Sequence, residues 1–153
     1  MYDYHQKKKN NNSDILVIKK ESYAFKELKS LKQNTNKKNN YFLDYGSGSG
    51  IWTNVAILLN FKAYAYEPSS KRSLDSGLEV LSDLNNLDNI KFDIINLEQV
   101  LEHIPNPADV LKKLCKFANN KTIFRIRVPN IDRSKEGKSF FKNGPIMVIE
   151  CTN

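Results

Sequence analysis

Tyr41-Phe42-Leu43-Asp44-Tyr45-Gly46-Ser47-Gly48-Ser49-Gly50 places an apolar run, an acid and three alternating glycines side by side. The apolar run reads as a buried strand over 41–44. The stretch from Ile51 to Phe61 has the apolar content of a helix, placed at 51–60. A glycine loop joining strand to helix lets a nucleotide-like ligand approach the backbone more closely than side chains would allow. The spacing Gly46-x-Gly48-x-Gly50 differs from the dinucleotide fingerprint GxGxxG, which wants its third glycine where Ile51 stands. A nicotinamide-dependent oxidoreductase or epimerase is disfavoured on that ground.

From Tyr41 onward, short apolar strands alternate with amphipathic stretches, the pattern of an α/β domain with a parallel sheet. Strands are expected at 41–44, 63–67, 78–81, 92–96 and 122–128, with a further apolar run at 146–150. Helices are expected at 51–60, 70–76, 97–102 and 107–118. In the last, Asn106 is placed to cap, Pro107 suits the first helical position, and Ala108, Leu111, Leu114 and Cys115 form the buried face. Ahead of the glycine loop, Glu21 to Gln33 carries Ala24, Leu28 and Leu31 at helical spacing. Residues 1–40 are therefore read as a basic Asn/Lys-rich segment with one helix, and 41–153 as the ligand-binding domain.

Charge follows the same division. The net charge is +7, but residues 1–40 hold ten lysines against four acids, leaving the rest nearly neutral. Without interleaved arginines and stacking aromatics, the basic segment reads as a solvated arm and not as a nucleic-acid surface. No apolar run reaches 18 residues, so no membrane span is expected. Ile15 to Ile18, which follows Lys7-Lys8-Lys9, is too short for a signal-peptide core. Cys115 and Cys151 lack metal-site spacing and are expected as reduced thiols of a cytoplasmic protein.

Glu67 ends the second expected strand, 17 residues after Gly50. A carboxylate there can accept both hydroxyls of a ribose. The fourth strand then runs through Phe92-Asp93-Ile94-Ile95-Asn96-Leu97-Glu98-Gln99-Val100-Leu101-Glu102-His103 to Pro107. Together with Asp44 to Gly50, and with Ile123 to Asn130, this segment resembles the class I S-adenosylmethionine-dependent methyltransferases. The resemblance covers roughly residues 41–130 and is to the small-molecule branch with a DxGxGxG loop and a VLEH motif, similar to ubiquinone-biosynthesis-type enzymes.

That resemblance implies a Rossmann-like, doubly wound, mostly parallel sheet and S-adenosyl-L-methionine as cofactor. Gly46, Ser47, Gly48 and Gly50 would pass beneath the methionine moiety, with Asp44 near its amino group. Glu67 would hold the ribose, Asp83 and Leu84 would flank the adenine, and Asn96 and Leu97 would line the cofactor toward the substrate together with Glu98. His103 is the candidate general base, or, with Glu102, an ordering element of its loop. No metal is expected: where similar enzymes place a metal-holding Glu, this chain has Gln99, and Glu98 is rotated about 100° away on a helix. Trp52, Tyr64, Tyr66 and Phe92 are read as packing residues. Arg125 and Arg127 share one face of the fifth strand, where they would meet an anionic substrate or Glu98, or lie exposed near the sheet edge.

The similar enzymes close their sheet with a C-terminal antiparallel hairpin, part of which this sequence lacks, so a C-terminally truncated chain is expected. The alternative is that a homodimer or a partner covers the exposed sheet edge. The expected function is methyl transfer to a small-molecule or glycan-precursor acceptor. The alternative is a non-catalytic remnant of the fold, or an assembly partner, that still binds the cofactor.

Overall fold

The computed structural model describes residues 22–35, 40–68, 80–87 and 89–129. Helix α1 (Tyr23–Lys32) begins at Ser22, whose hydroxyl accepts the Phe25 N–H, a side-chain cap on one of the first turn's free donors. Ala24, Leu28 and Leu31 form its buried stripe, as their spacing predicts. Strand β1 (Tyr41–Tyr45) leads through the glycine loop into α2 (Ile51–Leu58), and β2 (Lys62–Tyr66) and the short β3 (Val80–Leu81) follow. Then come β4 (Ile94–Glu98), a 3-10 turn over Leu101–His103, α3 (Pro107–Cys115) and β5 (Ile123–Arg127).

The sheet has the order β3-β2-β1-β4-β5, and every pairing in it is parallel. Chain order reverses between β1 and β4. In open α/β sheets a ligand sits outside the carboxyl ends of the strands at that point. The α/β, Rossmann-like reading is therefore correct.

Helices α1 and α2 cover one face. Leu28, Leu31, Trp52, Val55 and Ala56 pack there with Phe42, Ala63 and Ile94. Leu28 is fully buried, worth roughly 1.5–3 kcal/mol as removed apolar surface. The ammonium of Lys32, at the end of α1, donates to the Leu59 carbonyl and lies 5.1 Å from the Phe61 ring centroid. Helix α3 covers the opposite face, where Leu114 and Phe117 close over Leu43, Ile95, Leu97 and Phe124.

Several expectations are corrected. The segment 97–102 is not a helix. Strand β4 continues through Glu98, held by the register Leu97↔Ile126 and Glu98↔Arg127, and Gln99 then takes φ 52°, which a helix cannot accommodate. The strand also starts late, at Ile94, although the Asp93 backbone already bonds to Tyr41 and Ile123 of the neighbouring strands. The Asp93 carboxylate accepts the Tyr41 N–H, and the Phe92 N–H bonds to Phe117. In α3, Ala108 is exposed and Leu114 is the buried residue. Asn106 makes no capping bond and instead donates to Asp109. Cys115 is disulfide-bonded, not a reduced thiol; the other cysteine, Cys151, lies outside the described residues. The helix expected at 70–76, the strand at 146–150, the basic arm and the missing hairpin also fall outside them. Among the described residues no helix is long and apolar enough to cross a membrane.

Candidate functional site

The loop after β1 takes its shape from three left-handed glycines, with φ of 74° at Gly46, 50° at Gly48 and 77° at Gly50. The N–H groups of Gly46 and Ser47 both donate to the Tyr66 carbonyl at the end of β2. A Cβ at Gly46 would stand 2.6 Å from a methyl of Val100, so this glycine is required by space as well as by φ. A Cβ at Gly48 would meet nothing within 4 Å. The first glycine is packed against the segment after β4, and the second faces open space.

Helix α2 has no side-chain cap of its own, since Gly50 occupies the cap position. Asp44 serves instead. Its Oδ2 accepts the Thr53 N–H at 3.0 Å and the Thr53 hydroxyl at 2.6 Å. An anion at a helix N-terminus also complements the helix dipole. Its Oδ1 accepts the Asn96 amide at 2.8 Å. Burial pushes the Asp44 carboxyl up, opposed by the hydrogen bonds from Thr53 and Asn96 and by the charge of Arg125.

The pairing Asp44↔Asn96↔Arg125 makes this row continue across three strands. Arg125 donates to the Asn96 carbonyl oxygen at 2.7 Å, to Glu98 at 2.6 Å and to Glu27 of α1 at 2.8 Å. Its guanidinium carbon lies 3.6 Å from the Trp52 ring centroid, within stacking range for an arginine over an aromatic face. Arg125 is only 1% exposed. Burial by itself would lower its pKa, but the hydrogen bonds and charges of Glu27 and Glu98 outweigh this and raise it. Arg127 lies 3.7 Å from the other Glu98 oxygen and 4.7 Å from the Tyr23 ring centroid.

An open cleft at the carboxyl ends of β1 and β4, of about 270 Å³, is lined by Asp44, Gly46, Ser47, Gly48, Ser49, Ile51, Trp52 and Glu98. Typical small-molecule sites span about 300–1,000 Å³, so the described walls have the size of one end of such a site. The Ser47 hydroxyl is buried in the wall and has no hydrogen-bond partner among the described residues.

Of the residues singled out from the sequence, Asp44, Gly46, Ser47 and Gly48 line this cleft together. Gly50 starts α2 directly behind it. Glu67 joins them through its Oε2, which accepts the Gly48 N–H at 3.3 Å. The others stand apart from the walls. Asp83 is exposed and bonds to Asn85, while Leu84 packs into the α3-side core. Asn96 is fully buried beneath the cleft, Leu97 points to the opposite face, and His103 is exposed on the 3-10 turn. Sequence reasoning missed Trp52 as a wall residue and Arg125 as a buried hub. The available signal was polar residues alternating with apolar ones on the neighbouring strands β4 and β5. Among the described residues no group of three or more His, Cys, Asp or Glu is placed to hold a metal ion.

Residues 19–149 match the family described as a methyltransferase domain. The chain belongs to this family. No curated protein sequence matches it. Among solved structures, the methyltransferase domain is similar to the plantazolicin methyltransferase BpumL in complex with SAH, at 18% identity and a TM-score of 0.62. The match covers 78% of this chain and 51% of that one, so the chain spans about half of BpumL's length. At this identity the likeness concerns the fold.

Proposed function

We propose that this chain binds S-adenosylmethionine in the cleft at the ends of β1 and β4 and catalyses methyl transfer to a small-molecule or glycan-precursor acceptor. The observation that carries the reading is the buried Ser47 hydroxyl, without a partner among the described residues, on a loop whose Gly48 opens onto free space. A buried polar group without a partner costs about 1–3 kcal/mol, which the polar methionine end of the ligand would relieve. The neighbouring donor set fits the same group. The carboxylates of Asp44 and Glu98 in the walls suit an amino group, and Glu67 suits a ribose.

When bound, the cofactor supplies a methyl group activated on a sulfonium. Gly46, Ser47, Gly48 and Gly50 shape the floor, and Asp44 fixes that floor to α2. Glu67, which accepts the Gly48 N–H at 3.3 Å, would hold the ribose. Asp83 and Leu84 follow β3, beside Glu67, whose N–H bonds to Leu81, and they flank the adenine. Asn96 acts from beneath by orienting Asp44, and the Leu97 backbone carries the chain to Glu98 at the wall. Transfer asks mainly that the acceptor be held in line with the methyl carbon. His103, outside the walls, takes the acceptor's proton where the acceptor reaches the 3-10 turn.

Calorimetry with S-adenosylhomocysteine tests the reading. Binding is expected, and it should weaken at least ten-fold in Glu67→Ala and in Gly48→Val, whose side chain would project into the open space. Folded protein that fails to bind would overturn the reading. Binding without turnover across a panel of acceptors would support a non-catalytic role instead.

A further inference from the structure

The carboxylate at the cleft wall, Glu98, does not stand alone. One oxygen meets Arg125 at 2.6 Å and the other meets Arg127 at 3.7 Å. Arg125 in turn meets Glu27, on the N-terminal helix, at 2.8 Å. Two carboxylates and two guanidiniums thus balance, in a space where the Arg125 side chain is 1% and the Arg127 side chain 12% exposed. Only Glu98 of the four lines the cleft. Glu27 sits behind Arg125, and Arg127 lies over Tyr23.

We propose that this ion cluster is a charge-setting device for the cleft: Glu27 offsets Arg125, so that Glu98 presents its negative charge to a cationic ligand. The proposal rests on the S-adenosylmethionine reading above and extends it to selectivity. The substrate form of that cofactor carries a sulfonium cation, whereas the product form carries a neutral thioether. The Glu98 carboxylate at the wall, nearer the ligand than the arginines behind it, favours the first, and this difference would help release the product. Glu27 is then a positioning residue that acts through Arg125 without touching the ligand.

The sign of the effect can be set by substitution. Glu27→Gln keeps the side chain's size but leaves one positive charge unbalanced behind Glu98. Arg127→Gln does the opposite. At an effective dielectric of about 40, one unit of charge about 8–12 Å away corresponds to roughly three- to six-fold in affinity.

The test is calorimetric titration of the full chain and both variants with S-adenosylmethionine and with S-adenosylhomocysteine, taking the ratio of the two dissociation constants. Glu27→Gln should shift the ratio several-fold toward the thioether, and Arg127→Gln should shift it toward the sulfonium. Loss of packing alone would move both ligands together and leave the ratio unchanged. Unchanged ratios in both variants, or shifts of the same sign, overturn the proposal while leaving the cofactor reading intact. Failure of the unaltered chain to bind either ligand overturns both. Should thermal unfolding show that Glu27→Gln does not fold, the shift in Arg127→Gln decides alone.

Discussion

On one face of the sheet Leu43, Ile95, Leu97, Phe124 and Ile126 close against α3 with no polar side chain among them. On the other face, one residue away along the same strands, Asp44, Asn96 and Arg125 run as a hydrogen-bonded row, with Glu98 one step nearer the strand ends. Both faces are buried, and the strands, helices and register serve both alike. The difference is that the apolar face only has to exclude water, whereas the polar face has to hold a glycine loop, a helix start and a charged cleft wall in fixed relation. Removing a methyl from the first leaves a small void. Removing a partner from the second strands a buried donor or charge, and the two kinds of loss differ in size.

The largest expected effect tests that asymmetry directly. Arg125→Met keeps the stem but withdraws the cation from Glu27, Glu98 and Asn96 together. Breaking a buried ion pair by removing one partner costs about 3–5 kcal/mol. The Glu27 and Glu98 side chains are 15% and 22% exposed and can turn partly toward water, which favours the lower end. Urea unfolding should show a loss near 3 kcal/mol; less than 1 kcal/mol would mean that the row is not a source of stability.

Next comes Asp44→Asn. All three partners of this carboxylate donate to it: the Asn96 amide, the Thr53 N–H and the Thr53 hydroxyl. An amide offers one acceptor and one donor group. The Thr53 hydroxyl can rotate to accept, but either the Thr53 N–H or the Asn96 amide then faces another N–H. One unsatisfied buried donor costs about 1–3 kcal/mol. If unfolding shows no loss, the row tolerates reversal and the polarity argument fails.

The apolar face should respond less. Ile126→Val removes one methylene from a residue packed in the α3-side core, at a cost of about 0.5–1.5 kcal/mol. If this variant lost as much as Arg125→Met, the contrast between the faces would collapse.

The two faces also differed in how legible they were. The apolar face could be read from β-branched and aromatic runs, and with it the five strands and their parallel pairing; on the other face only the helical spacing of Ala24, Leu28 and Leu31 was equally plain. The glycine loop was legible because Gly46, Gly48 and Gly50 have no purpose in a strand or helix interior. Asp44 was legible as a site residue, but its bond to Thr53 was not, because that contact depends on α2 folding back over β1. Arg125 was legible as one of two alternating arginines placed to meet Glu98, which both do, but not as a buried residue. Its burial comes from Glu27, a residue 98 positions earlier in the chain, and local patterning carries no information about such a partner. The segment 97–102 misled because Leu97 and Leu101 have helical spacing. Pairing with β5 and the positive φ of Gln99 overrode it.

The smallest expected effect concerns His103, which belongs to neither face. It is exposed on the 3-10 turn, and its N–H bonds to the Val100 carbonyl through the backbone alone. Surface substitutions away from caps and buried partners usually stay within about 0.5 kcal/mol. His103→Ala should therefore leave stability within that range and S-adenosylhomocysteine affinity within a few-fold by calorimetry. Turnover separates the two remaining roles. A fall of about 10²-fold or more in kcat, with cofactor affinity kept, is what loss of a general base produces. Equal loss of cofactor affinity and turnover would instead assign His103 to the architecture of the turn, where Val100 presses on Gly46.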